Sequence, residues 1–269
     1  MYSFLISIFV GAVVGAGLGC PKILGMGWSI TLGVISFLIS QYIIGRNVSK
    51  KIKAVMDSVQ MILASGQKKI QNKMARWQIR PPGSIQAAQA EIARDQKVFV
   101  LQALEETTKL NRFKGWSPML ERQIATAQFQ LYWMIKDLKN ANEVAKKVLF
   151  FDPVSKAIKI SLLYKNGASL EELKKTYEQA VKRVRYNQNV LAVAAYSWIL
   201  VNKGEIDAAH KVLVKALEKT DNEFIKRNCE HLANNRITQF SNAGLGEQWY
   251  SLFLEEPKVR QQRMHQKWR

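Results

Sequence analysis

Two apolar stretches at the start of the chain decide its fold. They read YSFLISIFVGAVVGAGLGC at residues 2–20 and LGMGWSITLGVISFLISQYII at residues 24–44. Each is about 20 residues long, which is enough for a helix to cross roughly 30 Å of hydrocarbon. Residues 1–45 contain one charged side chain, Lys22, which lies in a short turn with the helix-breaking Pro21. Two spans joined so closely run antiparallel, so we predict a transmembrane helical hairpin over residues 1–45.

Basic residues indicate how this hairpin is oriented. Arg46, Lys50, Lys51 and Lys53 follow the second stretch directly, whereas the turn carries Lys22 alone. Basic residues concentrate on the cytoplasmic side of membrane proteins, so we expect the N-terminus and everything from Arg46 onward to be cytoplasmic. The same four residues are predicted to contact the anionic head groups of the membrane lipids. The sequence therefore predicts a two-span protein of the bacterial inner membrane.

Two kinds of cleaved leader are alternatives to the hairpin. A secretory signal normally starts with a basic segment, which the first stretch lacks. A lipoprotein signal could end at Cys20, but Leu18 is not at the usual third position before the cysteine. Neither alternative explains the second apolar stretch.

Small residues recur on one face of the first predicted span. Gly11, Gly15 and Gly19 are spaced by four, so they share a helix face on which another helix can approach closely. The neighbour is either the other arm of the hairpin or a second copy of the chain. We expect the two arms to pack on each other, and we keep a homo-oligomer as the alternative.

Residues 46–83 are predicted to form a basic amphipathic helix beside the membrane. Apolar residues recur at spacings of three and four from Ile52 to Trp77, and Pro81-Pro82-Gly83 ends the pattern. Such a helix either lies on the anionic leaflet or packs on the domain that follows, and we expect the leaflet.

The net charge of +19 is distributed unevenly along the chain. Residues 46–80 hold nine Lys or Arg and one acid, and the tail at residues 257–269 holds five basic residues and no acid. Residues 84–256 are only mildly basic. Because nucleic-acid-binding proteins carry their basic face on the folded domain, we expect no nucleic-acid partner, although the tail could contact RNA.

Residues 84–256 show a helical pattern that repeats. Three segments, which begin at Asn140, Ser169 and Gly204, align so that Ala141, Leu173 and Ala209 share one position, with offsets of 32 and 36 residues. At the aligned positions, small residues stand where two helices would cross: Ser161 and Ser197 in the first helix of a pair, and Ala180 and Ala216 in the second.

This pattern, over roughly residues 120–222, resembles the tetratricopeptide repeat. Tyr164, Gly204 and Asp152-Pro153 match the family's aromatic and turn positions, whereas Phe129 stands at a small position and Asp221 replaces the closing proline. The resemblance implies an all-α protein in which the hairpin precedes an α-solenoid of helix pairs over residues 84–256.

The resemblance also implies a concave groove that binds a protein or peptide. Its predicted lining comes from the first helix of each pair: Gln130 and Trp133; Ile158, Leu162 and Lys165; Ala194, Trp198 and Val201. The two tryptophans are either binding anchors or core residues of the solenoid.

No pattern in the sequence is typical of catalysis or of metal binding. Cys229 and His231 are two residues apart, which suits neither a helical metal site nor a zinc finger. No phosphate-binding loop or nucleophile elbow is present in the sequence. We therefore expect no enzyme activity, metal or cofactor, and predict a membrane-anchored adaptor, with a self-assembling membrane structure as the alternative.

Overall fold

The computed structural model describes residues 2–19, 26–79, 83–116, 119–182 and 185–257. All regular structure in these ranges is helical, with no strand, so the predicted all-α class is confirmed. The predicted turn at residues 20–23 and the basic tail from residue 258 lie outside the described ranges. The chain divides into two compact units, Met1–Leu149 and Phe150–Arg269. The domain limits drawn from the sequence at residues 45, 83 and 256 stay predictions.

The first unit is built along one long helix. α2 has 54 residues and is therefore roughly 80 Å long at a rise of 1.5 Å per residue. α1 packs along its first part and α3 along its second. The elements of this unit are α1 (Tyr2–Gly19), α2 (Met26–Ile79), α3 (Ile85–Thr108), a 3-10 turn (Lys109–Phe113), α4 (Leu120–Met134) and α5 (Leu138–Ala145).

α2 runs without a break from the apolar stretch into the predicted basic connector. The apolar stripe of the connector is covered in part by the chain itself, since Val55 packs with Leu110 and Ile124, and Val59 with Val100. Ile52 and Met56 on the same stripe stay half-buried. Contact of the connector with the anionic leaflet stays a prediction.

The second unit is arranged around α8. Residues 191–197 of this helix are all buried, because α6, α7, α9 and α11 pack around it. The elements of this unit are α6 (Pro153–Lys165), α7 (Leu170–Val181), α8 (Val190–Asn202), α9 (Ile206–Leu217), α10 (Glu223–Ala233), 3-10 turns (Ile237–Gln239 and Ala243–Leu245) and α11 (Glu247–Tyr250).

Local capping explains where several of these helices begin. The Asp152 carboxylate accepts the Ser155 N–H at 2.8 Å, and Pro153 occupies the first turn of α6. Ser169 caps α7 in the same way. Each cap satisfies a backbone donor that the helix itself leaves unpaired.

Candidate membrane interface and partner groove

The close crossing of α1 and α2 depends on glycine. A Cβ on Gly11 would lie 2.9 Å from the Gly33 carbonyl oxygen, and a Cβ on Gly33 would lie 3.0 Å from the Gly11 carbonyl oxygen. Gly15 faces the same crossing, and Gly19 is the last residue of α1. Sequence reasoning missed Gly33, whose partners in α1 lie about 20 residues away. The glycine face of α1 therefore contacts the other helix of its own chain.

The outer faces of these two helices form an apolar belt that is exposed. Only 11% of the most apolar 18-residue window of α2 is buried, whereas the core helix of a soluble protein is mostly buried. By length and composition, α2 is the one described helix that could cross a membrane, and the apolar stretch of α1, Tyr2–Gly17, is shorter. We call the following exposed side chains the apolar belt: Phe4, Leu5, Ile6, Ile8, Phe9, Val13, Trp28, Ile30, Val34, Ile35, Leu38, Ile39, Tyr42 and Ile43.

Polar side chains inside the hairpin have partners. Ser7 is fully buried, and its hydroxyl donates to Gln41 Oε1 at 3.0 Å. Thr31 is exposed on the outer face of α2, and its hydroxyl donates to the Gly27 carbonyl oxygen at 2.8 Å within its own helix. Such pairing is what an apolar environment requires, since an unpaired polar group there is costly.

The start of α1 is attached to the segment that precedes α4. The Tyr2 N–H donates to the Gly115 carbonyl oxygen at 2.8 Å, and the Ser3 hydroxyl donates to the Trp116 carbonyl oxygen at 3.1 Å. The Tyr2 and Trp116 rings meet edge to face, 5.9 Å apart. The beginning of α1 thus lies at the same end of the hairpin as Arg46, with the rest of the first unit.

A basic collar, Arg46, Lys50, Lys51 and Lys53, follows the apolar belt directly on α2. All four side chains are exposed, and none forms an ion pair with any residue in the described ranges. Lys53 stands nine positions after Ile44, which is roughly 14 Å along the helix axis. The spacing of three and four puts Arg46, Lys50 and Lys53 on one face.

The predicted groove residues of the first unit divide between surface and core. Gln130 is exposed, whereas Trp133 is buried and its ring stacks on Phe129 at 6.0 Å. In this unit a partner could therefore touch Gln130 without disturbing the packing, but not Trp133.

In the second unit, the predicted groove residues are mostly covered. Leu162 and Ala194 are buried, Ile158, Trp198 and Val201 are half-buried, and Lys165 is exposed. Of these six, only Lys165 is open to a partner without repacking.

The predicted groove residues of the second unit are covered by the end of that unit, a contact that the sequence analysis did not predict. The Trp198 ring meets the ring of Trp249 in α11 at 6.0 Å and the ring of Tyr164 at 5.9 Å. Trp249 is completely buried, and the Asn242 amide donates to the Ala194 carbonyl oxygen at 3.0 Å. Two tryptophans that are far apart in the sequence therefore pack on each other.

The shifted titratable groups of the second unit are those of a packed core. Burial raises the pKa of the Tyr177 hydroxyl to about 12, so this side chain stays neutral at physiological pH. Burial also raises the pKa of the Cys229 thiol, which opposes formation of a nucleophilic thiolate. Among the described residues, no group of three His, Cys, Asp or Glu could hold a metal ion.

Comparison with known proteins gives no relative to guide the interpretation. No protein-family model, curated protein or solved structure matches the chain.

Proposed function

We propose that this chain is a two-span protein of the bacterial inner membrane that holds a cytoplasmic helical adaptor at the membrane face. The adaptor recruits a protein or peptide partner, and no catalytic chemistry takes part. Tethering raises the local concentration of whatever the adaptor binds.

The observation that carries this proposal is the apolar belt. Its fourteen large side chains are exposed on α1 and on the first part of α2. Monomeric soluble proteins rarely expose a continuous apolar surface of this extent. Moving these side chains from water to hydrocarbon stabilises the inserted state by on the order of 10 kcal/mol.

Two further observations support a hairpin with both ends in the cytoplasm. The basic collar begins immediately beyond the belt, where it reaches anionic head groups, and each such residue contributes about 1 kcal/mol. Tyr2 is attached to Gly115 at the same end. The glycine face of α1 packs on Gly33, which favours an anchor over self-assembly through that face.

The adaptor role rests on the resemblance to tetratricopeptide repeats. In the second unit α6 packs on α7 and α8 packs on α9, as helix pairs of such repeats do. Ser161, Ala180, Ser197 and Ala216 are buried, as expected for small residues at helix crossings. Lys165 and Gln130 are the predicted groove residues that a partner could touch first.

The membrane part is tested by alkaline extraction and by cysteine labelling from each side. We expect the full chain to stay in the membrane pellet at alkaline pH. In a chain carrying Cys20→Ser and Cys229→Ala, Lys51→Cys should react only with a reagent on the cytoplasmic side, and Lys22→Cys only from outside. Release at alkaline pH would refute membrane insertion, and labelling of both positions from one side would refute two spans.

The adaptor part is tested with a photo-crosslinking amino acid at Lys165, in the full chain in its native membrane. A discrete crosslinked protein is expected from this position. Lys174, an exposed lysine in α7, is the matched control and should give no product. Equal products from both positions, or none from Lys165, would remove the predicted groove as the recruiting surface while leaving the membrane anchor intact.

A further inference from the structure

An open cleft of about 540 Å³ lies in the first unit where the apolar belt ends. Its lining includes Ser3 of α1, Gly45 and Lys53 of α2, and Trp116 and Gln123. Gln41 lines it as well, so the cleft overlaps the last turn of the apolar belt and extends to the level of the basic collar.

The lining of the cleft is divided between apolar and polar groups. Val48, Ile52, Met56 and Trp116 supply apolar walls. The polar groups that can donate are the Lys53 ammonium, the Ser49 hydroxyl and the amides of Gln41 and Gln123, whereas the Ser3 hydroxyl already donates to the Trp116 carbonyl oxygen.

Several of these donors are free to bind a ligand. The Ser7 hydroxyl occupies Gln41 Oε1, which leaves the Gln41 amide nitrogen as a donor. In the described residues the side chains of Ser49 and Gln123 form no hydrogen bond, and Lys53 forms no ion pair.

The electrostatics of the cleft favour an anion. No acidic side chain lines it among the described residues. Arg46 and Lys50 share the helix face of Lys53, and the positive end of the α1 dipole lies beside Ser3. A ligand that fits this cleft carries a negative charge, hydrogen-bond acceptors and apolar chains, and an anionic phospholipid has all three.

We propose that this cleft binds the head group of an anionic phospholipid. The lipid phosphate accepts hydrogen bonds from Lys53 and the neighbouring donors, and its glycerol contacts Ile52 and Trp116. The acyl chains continue along the apolar belt. This inference rests on the proposed membrane insertion, because only an inserted hairpin brings the cleft to the level of the head groups.

The test is native mass spectrometry of the full chain in neutral detergent, titrated with phosphatidylglycerol or phosphatidylcholine. Phosphatidylglycerol should bind more tightly than phosphatidylcholine. Lys53→Gln should weaken phosphatidylglycerol binding about fivefold, the effect of one interfacial charge. Lys69→Gln removes the same charge from an exposed position of α2 beyond the basic collar and outside the cleft, and it should change binding little.

A second pair of variants tests whether the lipid occupies the cleft, by adding a side chain that takes up part of its volume. A Cβ on Gly45 would meet no atom within 4 Å, so the side chain of Gly45→Leu starts in open space at the cleft and occupies part of its volume. Phosphatidylglycerol binding should then fall to the level of phosphatidylcholine. Gly27→Leu is the matched control, since Gly27 is exposed on α2, has no atom within 4 Å of its Cβ position and lies outside the cleft.

The outcomes separate this inference from the membrane proposal. A protein that inserts into phosphatidylcholine nanodiscs yet shows no preference for phosphatidylglycerol would refute the cleft as a lipid site and leave the membrane anchor unaffected. Equal losses in Lys53→Gln and Lys69→Gln would do the same. Failure of the protein to insert into the nanodiscs would refute both the lipid site and the membrane anchor. If millimolar inorganic phosphate displaced bound phosphatidylglycerol, the site would be assigned to free phosphate, and the proposal of a lipid ligand would be refuted.

Discussion

The substitution Gly11→Ala tests whether the glycine face of α1 holds the hairpin closed. The new Cβ would lie 2.9 Å from the Gly33 carbonyl oxygen and 3.0 Å from the Phe37 Cβ. Ordinary contact needs about 3.5 Å, so the helices must separate by roughly half an ångström. Overpacking of this kind costs about 1–3 kcal/mol. Gly17→Ala, where a Cβ meets no atom within 4 Å, adds the same methyl group on the same helix without this cost.

The opening of the hairpin can be followed through Ser7, which is fully buried between the two helices. In a chain carrying Ser7→Cys, with Cys20→Ser and Cys229→Ala, the rate of thiol labelling in detergent reports the fraction of open hairpin. Gly11→Ala should raise this rate about 5- to 150-fold, the ratio that corresponds to 1–3 kcal/mol.

The reasoning would be refuted if Gly11→Ala accelerated labelling no more than Gly17→Ala does. The size of the particle in detergent gives a second readout from the same samples. An unchanged mass together with faster labelling agrees with packing inside one chain. A smaller particle would show that the glycine face joins separate copies, and the self-assembling alternative would then replace the anchor.

Three predictions concern the second unit and are measured by chemical denaturation of the full chain. Asn187→Ala should lower the free energy of unfolding by about 1–3 kcal/mol, because Asn187 has a positive φ of 61° and its Oδ1 accepts the Thr220 hydroxyl at 2.6 Å; an unchanged midpoint would exclude this contact as a support of the fold. Trp249→Ala should cost about 3–5 kcal/mol, since Trp249 is completely buried, and a loss below about 1 kcal/mol would show that α11 is not part of the core. Burial raises the pKa of the Tyr177 hydroxyl to about 12, whereas in the unfolded chain it ionises near the ordinary tyrosine pKa of about 10, so stability is lost as pH rises from about 10 to 12. Tyr177→Phe should flatten that slope, and a slope equal to that of the unsubstituted chain would contradict the assignment.

Much of the local structure is predictable from short-range signals. The apolar stretches give α1 and the first part of α2, and Asp152-Pro153 and Ser169 mark the starts of α6 and α7. The proline pair at residues 81–82 comes directly after α2. Glycine spacing of four on α1 indicates a close helix crossing. These signals act through the backbone within a few residues, so one sequence is enough to read them.

The exposure of the predicted groove residues could not be predicted from such short-range signals. Helical period places Trp133 and Trp198 on a particular face but says nothing about what covers that face. In the folded chain Trp198 meets Trp249, and Trp133 stacks on Phe129. The period of the connector predicts an apolar stripe, and only the positions of α3, α4 and the 3-10 turn show that the chain itself buries Val55 and Val59 on that stripe.

The sequence by itself determined that this chain is helical, that its first 45 residues carry an uncharged apolar surface apart from Lys22, and that basic residues follow at once. The tertiary structure alone decided that Gly33 receives the glycine face of α1, and that Ser3 meets Trp116 across 113 positions. It also decided that a cleft with Lys53 opens beside that contact. The reason is physical: helix propensity, period and capping depend on neighbours along the chain, whereas burial and cavities depend on segments that folding brings together from far apart.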